Sequence, residues 1–217
     1  MIDTEDEAKA WLRALPECDS AAWTRLERLS ALLAEENARQ NLVSAASLAE
    51  VWRRHIADSA QLLVHVSRGT GPWLDLGTGA GFPGLVVAAL RPECEVLMVE
   101  SRARRIEWLE RACRELRLGQ ACVIGTRLEL MAPQPVGVIS ARAFAPLDKL
   151  IALSARFSTS DTVWLLPKGR SAQQELESLQ GWQHRFHVEP SLTDPASGLI
   201  VGTLIGRISS GKKGKQP

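Results

Sequence analysis

Trp73-Leu74-Asp75-Leu76-Gly77-Thr78-Gly79-Ala80-Gly81-Phe82-Pro83-Gly84 reads as a short apolar strand running into a glycine-rich turn and then into a helix. Glycines suit such a turn because it demands positive φ and because a side chain would hold a ligand away from the backbone. On the C-terminal side, short β-rich runs alternate with helical ones, the pattern of βαβ units around a mostly parallel sheet. Strands are expected at Trp73–Leu76, Glu95–Glu100, Ala121–Gly125, Val136–Ser140, Thr162–Leu166, Arg185–Glu189 and Leu199–Ile205. The stretch from Pro190 to Gly198 has no helical pattern, so the last two strands should pair antiparallel. The expected fold is α/β: a Rossmann-like, seven-stranded, mostly parallel sheet with an antiparallel last strand.

On the N-terminal side, Trp11, Leu12, Leu15, Trp23, Leu26, Leu29, Leu32 and Leu33 recur at three-to-four spacing among charged residues, predicting helices from Glu5 to about Leu63. The break at Arg68-Gly69-Thr70-Gly71-Pro72 divides the chain into a helical cap (1–68) and a domain (69–207). A basic tail (208–217) follows, in which Lys212, Lys213 and Lys215 stand among Gly and Ser with nothing to bury; it is expected to be disordered. At 217 residues and 45% hydrophobic, the sequence supports one sizeable core with an extension, not two full domains.

Lys and Arg total 26 against 25 acids, so no global field draws the protein to nucleic acid or membrane, and any RNA contact must use a local patch. Cys18, Cys94, Cys113 and Cys122 show neither CxxC spacing nor His pairing, which predicts buried thiols in a reducing compartment and no metal. The acidic N-terminus lacks the order of a signal peptide, and no apolar run reaches the length of a membrane span. A cytoplasmic monomer without membrane contact is expected.

Two cofactor classes use such a glycine turn. Read from Gly79, the run formally fits the dinucleotide fingerprint GxGxxG, so a nicotinamide or flavin enzyme is a rival. Charge separates the two. A pyrophosphate against the loop would face the like charge of Asp75, whereas the ammonium and sulfonium of S-adenosylmethionine would be favoured by it. Glu100, ending the next strand, suits the ribose diol that both cofactors present. The plainer alternatives are that Asp75 caps the following turn and that Glu100 is a solvated strand end. An oxidoreductase would also need a proton donor, and the sequence has no Tyr and no suggestive Ser-Lys pairing.

The glycine loop, together with Arg54-His55-Ile56-Ala57-Asp58-Ser59 upstream and Ser140-Ala141-Arg142-Ala143-Phe144-Ala145 downstream, resembles the RsmG family, also called GidB. The likeness runs from about Asn41 through Gly169, and the Phe-Pro-Gly after the glycines is its most specific part. It implies a bacterial S-adenosylmethionine-dependent methyltransferase acting on N7 of a guanine in the 530 loop of 16S rRNA (guanine 527 in the reference rRNA numbering), hence the small ribosomal subunit as partner. It also implies cofactor contacts at Gly77, Phe82, Leu128, Glu129 and Arg142, to which the loop reading adds Asp75, Gly79, Gly81 and Glu100. The chain departs from the family pattern in having Ser-Ala-Arg where Ser-Arg is common, Glu100 where Asp is frequent, and Arg104-Arg105 where lysines often stand.

Guanine N7 carries a lone pair and no proton, so a methyl transfer to it needs no general base; positioning can supply the rate, with Arg142 the candidate helper. The Asn/Asp-Pro-Pro-aromatic motif of exocyclic-amine methylation and the Pro-Cys nucleophile of cytosine C5 methylation are both missing. Arg53, Arg54 and His55, near Arg39, Gln40 and Asn41, are read as a basic RNA-facing rim, with Lys168 and Arg170 as a second patch. The competing reading makes Arg53 and Arg54 a solvated helix face and His55 with Asp58 a structural pair. Trp73, Trp108 and Trp164 are expected to pack rather than to stack on bases. A non-catalytic RNA-binding or assembly factor on the same fold is the remaining alternative.

Overall fold

The computed structural model describes residues 1–208; the lysines of the tail, Lys212, Lys213 and Lys215, lie outside the described residues. The first strand, β1 (Trp73–Leu76), is buried along its whole length, as is β2 (Val96–Glu100), because helices cover both faces of the sheet at its centre. With β3 (Ala121–Gly125), β4 (Val138–Ser140) and β5 (Val163–Gly169) they form the parallel part, in the spatial order β3-β2-β1-β4-β5. The last strand, β8 (Gly198–Arg207), runs antiparallel to β5.

On its far edge β8 pairs antiparallel with two short strands, β6 (Trp182–His184) and β7 (His187–Pro190). The strand expected at Arg185–Glu189 begins two residues late as β7, and the unexpected β6 precedes it, giving eight strands among the described residues where the sequence suggested seven. The break between β6 and β7 faces Gly202, where φ is +144° and a Cβ would lie 2.2 Å from the Arg185 carbonyl oxygen. The chain crosses there too closely for a regular ladder.

One face of the sheet is covered by α1 (Glu5–Arg13), α2 (Ser20–Asn37), α5 (Gly84–Leu90) and α6 (Ala103–Glu115), whose Leu12, Leu26, Leu29, Val86 and Trp108 share one apolar cluster with Trp73 and Met98. Between α2 and the sheet come α3 (Ala45–Ala49), a π-helical turn (Trp52–Ala57), α4 (Asp58–Ala60) and a 3₁₀ turn (Gln61–His65). The opposite face packs Leu74, Leu76, Val99 and Ile139 beneath α7 (Leu147–Ser154) and α8 (Ala172–Glu177). Trp73, Trp108 and Trp164 are all buried, as expected. The thiols differ from expectation: Cys18, Cys94 and Cys113 are half-buried, while Cys122, on the edge strand β3, is exposed. Among the described residues no helix is long and apolar enough to cross a membrane, and no group of three His, Cys, Asp or Glu could hold a metal.

Strand order reverses between β1 and β4, so the loops leaving their carboxyl ends diverge and open a crevice, the usual ligand position in a doubly wound sheet.

Candidate active site

The crevice holds a cleft of about 720 Å³. Its floor is the turn after β1, where Gly77 and Gly79 adopt φ of +64° and +59°. A Cβ on Gly77 would sit 2.5 Å from the Phe144 ring, so this position must stay bare for the loops after β1 and β4 to meet. Glu100, Leu128 and Glu129 line one side, Phe82, His55 and Arg142 also border the cleft, and Leu42 to Ser44 contribute a wall. That last segment was missed in the sequence: Asn37 Oδ1 accepts from the backbone of both Leu42 and Val43 at 2.9 Å, a loop-shaping contact without a motif.

Glu100 ends β2 almost fully buried. Its Oε1 accepts from the backbone N–H of Ser101 and Arg102 at 2.7 and 2.9 Å, and its Oε2 accepts from Gly79 at 3.1 Å. A carboxylate has about four acceptor positions, so Oε2 keeps one for a ligand hydroxyl. Leu128 is buried and Glu129 exposed in a 3₁₀ turn, Leu128–Leu130, which offers an apolar surface beside a polar group.

Two loop residues expected at the ligand are elsewhere. Gly81 is buried away from the cleft, where a Cβ would lie 2.3 Å from Leu85 Cδ1. Asp75 is one residue short of the end of β1 and, like Trp73, points to the face covered by α5, because alternate strand residues face opposite ways. Its Oδ2 accepts from Gly84 N at 3.0 Å and its Oδ1 from Ser140 Oγ at 2.8 Å, while Ser140 Oγ accepts from Trp73 Nε1 at 2.8 Å. Asp75 therefore caps the helix that follows and is absent from the cleft lining. Burial pushes its carboxyl up to about 6, against the hydrogen bonds from Ser140, Thr78 and Gly84. A dinucleotide is disfavoured on different ground: the N–H that opens α5, which a pyrophosphate would use, is taken by Asp75.

Arg142, after β4, is a junction. It donates through Nη2 to His55 Nδ1 at 3.1 Å and through Nη1 to Asp58 Oδ2 and the Arg54 carbonyl, both at 3.3 Å, and it lies 5.2 Å above the Phe82 ring. His55 and Asp58 are thus linked through Arg142 rather than to each other. Burial, then Arg142 and Arg54, push the His55 imidazole down to about 3. Arg142 and the three residues after it, Ala143 to Ala145, separate this cleft from a second of about 480 Å³, bordered by Asp58, Gln61, Lys168 and Glu175. Within that shared wall Ala143 holds φ of +53°, strained for a residue with a Cβ.

The expected basic rim is only partly present. Arg53 is tied to Glu50 at 2.7 Å and to the Thr193 carbonyl at 3.2 Å, His55 is buried, and Lys168 lies 2.9 Å from Glu175 with its side chain 8% exposed. Each is neutralised or covered by a neighbour, Arg53 by one three residues away and the others by residues more distant in sequence. Arg54 and Arg170 are exposed. Arg39 and Gln40 border a separate groove with Arg104 and Arg111. Sequence reasoning missed three exposed cations that do line the cleft, Arg102, Arg127 and Lys149. Their only signal was position, just after β2, just after β3 and in α7.

A family model described as "rRNA small subunit methyltransferase G", GidB, matches residues 23–190. The chain is 60% identical over 203 residues to the "Ribosomal RNA small subunit methyltransferase G" of Erythrobacter litoralis (strain HTCC2594), covering 93% of this chain and 97% of that one. It is 57% identical over 218 residues to the protein of the same name from Novosphingobium aromaticivorans, covering 99% and 91%. Among solved structures, a mutant of MtNAS in complex with S-adenosylmethionine aligns with TM-score 0.58 at 14% identity over 94% of this chain and 84% of that one. A Methanococcus jannaschii fibrillarin, a pre-rRNA processing protein, aligns with TM-score 0.50 at 19% identity over 62% and 66%. At such identities these two likenesses concern the fold alone. The family match spans most of the chain and the relatives nearly all of it, and the chain belongs to the GidB family, rRNA small subunit methyltransferase G.

Proposed function

We propose that the protein is a cytoplasmic, monomeric S-adenosylmethionine-dependent methyltransferase that modifies N7 of a guanine in the 530 loop of 16S rRNA within the small ribosomal subunit. Family membership along the chain carries this reading, since the relatives are named for ribosomal RNA small subunit methylation. The cleft fits the cofactor. Glu100 keeps an acceptor for a ribose hydroxyl, Leu128 and Glu129 suit an adenine, and bare Gly77 and Gly79 allow close approach of the amino-acid end. When bound, S-adenosylmethionine supplies an electrophilic methyl group on a cationic sulfur.

The chain's own residues hold and orient. Phe82 and Phe144 make apolar walls that exclude water, and Arg142 stands where both clefts meet. The second cleft is the natural seat for the incoming guanine, because only the segment 142–145 lies between it and the cofactor. An acceptor with a free lone pair requires no proton transfer, in keeping with a site whose His55 is held neutral and whose Asp75 is turned away. Segment 1–68 then serves as a cap on the methyltransferase domain of residues 69–207, and Arg54, Arg102, Arg127, Lys149 and Arg170 supply phosphate contacts around the mouths.

The test is transfer of label from S-adenosylmethionine to small subunits from a strain without the gene, mapped by borohydride and aniline cleavage, which cuts at N7-methylguanine. Cleavage at a single guanine of the 530 loop, lost with Glu100→Ala, is the expected result. Labelled RNA that resists cleavage would rule out N7, and no transfer to any RNA would rule out the activity.

A further inference from the structure

His55 is the polar group at the cleft that the positioning mechanism leaves unused. It sits on the π-helical turn, 8% exposed, with its ring stacked on Phe82 at 4.9 Å and 21°. Arg142 faces its Nδ1 at 3.1 Å. A guanidinium only donates, so Nδ1 accepts, and the proton of the neutral ring is on Nε2. That Nε2 is buried and has no hydrogen-bond partner among the described residues. A buried N–H without an acceptor is costly, and the ring that carries this one borders the cofactor cleft.

Sheet order shows which part of a ligand would reach it. Glu100 ends β2 and Leu128 and Glu129 follow β3, so the acids of the cleft stand on the β2–β3 side of β1. Arg142 follows β4 on the other side, and His55 is bonded to it. An adenosine held by Glu100 and Leu128 therefore directs its amino-acid end toward Arg142 and His55, a cation beside a neutral donor. His55 is not part of the wall of the second cleft, which argues against contact with the acceptor base.

We propose that His55 Nε2–H donates to the α-carboxylate of the cofactor, making His55 a cofactor-binding residue fixed in its tautomer by Arg142. This rests on the S-adenosylmethionine reading of the cleft. The test is calorimetric titration with S-adenosylhomocysteine and with 5′-methylthioadenosine, which lacks the amino-acid end. For His55→Phe, which keeps the stack on Phe82 and removes the donor, S-adenosylhomocysteine should bind about tenfold to a hundredfold more weakly, while methylthioadenosine changes less than about twofold. His55→Gln, with an amide N–H that can reach the Nε2 position, should recover part of the loss. Equal weakening of both ligands, or no weakening of the first, would overturn the proposal. Should the variants misfold, the wild-type Nε2 proton followed by NMR decides: it should move downfield with S-adenosylhomocysteine and not with methylthioadenosine, and the same response to both overturns the assignment. Failure of the wild type to bind either ligand would instead remove the cofactor reading itself, and this proposal with it.

Discussion

Asp75 joins β1, β4 and α5 through one carboxyl group, and replacing it separates two roles. Asp75→Ala leaves Gly84 N–H and the Ser140 hydroxyl without their acceptor and should cost about 2–6 kcal/mol in urea denaturation, at about 1–3 kcal/mol per orphaned group. Asp75→Asn keeps an acceptor for Gly84 but turns an N–H toward Ser140, whose hydroxyl then loses its acceptor, so it should cost less than Asp75→Ala and keep the cofactor affinity. The pH dependence has a defined sign. With a folded pKa raised from 3.8 to about 6, the acid form is favoured by folding, so this group's contribution is present below about pH 4 and lost as pH rises through about 6. His55, lowered to about 3, acts oppositely: its contribution is present above about 6.5 and lost as pH falls. The two slopes oppose each other in the wild type. Relative to wild type, Asp75→Asn should therefore gain stability between pH 4 and pH 7, by up to roughly 3 kcal/mol, as measured by urea melts at each pH. The identity of Asp75 as a key acid was legible in the sequence; its target was not, because strand parity with Trp73 turns it under α5.

The break between β6 and β7 is an effect of one glycine. Gly202→Ala must place a methyl against the Arg185 carbonyl at an unfavourable φ, so it should cost about 3 kcal/mol or more and loosen β6 and β7 against β8. Gly206→Ala, on the same strand at φ of +158° but with nothing within 4 Å of its Cβ, is the control: it shares the backbone strain, lacks the clash and should cost less. Thermal melting with hydrogen exchange of the β8 amides distinguishes them, and equal effects would contradict the steric account. The alternating apolar pattern placed the strands to within a few residues, but it carries no information about where a partner chain crosses too closely. The π-helical turn at Trp52–Ala57 was equally illegible, since apolar periodicity reads a helix there without fixing whether the backbone bonds reach four or five residues back.

Across the whole molecule, the N-terminal helices share a continuous core with the sheet and are pinned by a buried ion pair, Arg91 to Glu17 at 2.9 Å, with Arg91 also donating to the carbonyls of Leu63, Val66 and Ser67. Arg91→Met or Glu17→Gln alone strands a charge or several carbonyls and should cost about 3–5 kcal/mol. The double variant should cost less than the sum, which denaturation in a double-mutant cycle will read. At the surface, Arg102→Gln with Arg127→Gln should weaken RNA binding and lower its log-log salt slope by about 1.4–1.8. An unaltered slope would remove these two residues from the RNA contact.

The sequence by itself determined the α/β class, the strand order along the chain, the glycine turn with its cofactor family, and part of the cleft: Gly77, Gly79, Phe82, Glu100, Leu128, Glu129 and Arg142 all line it. The class and the glycine turn are local properties, a periodicity or a turn that needs glycine, and local chemistry dictates them; Phe82, Leu128, Glu129 and Arg142 came with the family resemblance. Tertiary structure alone decided which charges are free. Arg53 and Lys168 are spent on Glu50 and Glu175, and Arg142 on Asp58 and His55, 84 and 87 positions away in the chain. The Arg53–Glu50 pair follows a helical spacing, but whether Arg142 is available for RNA or His55 for a ligand depends on partners that only folding brings within hydrogen-bond distance, and at those separations no spacing rule applies.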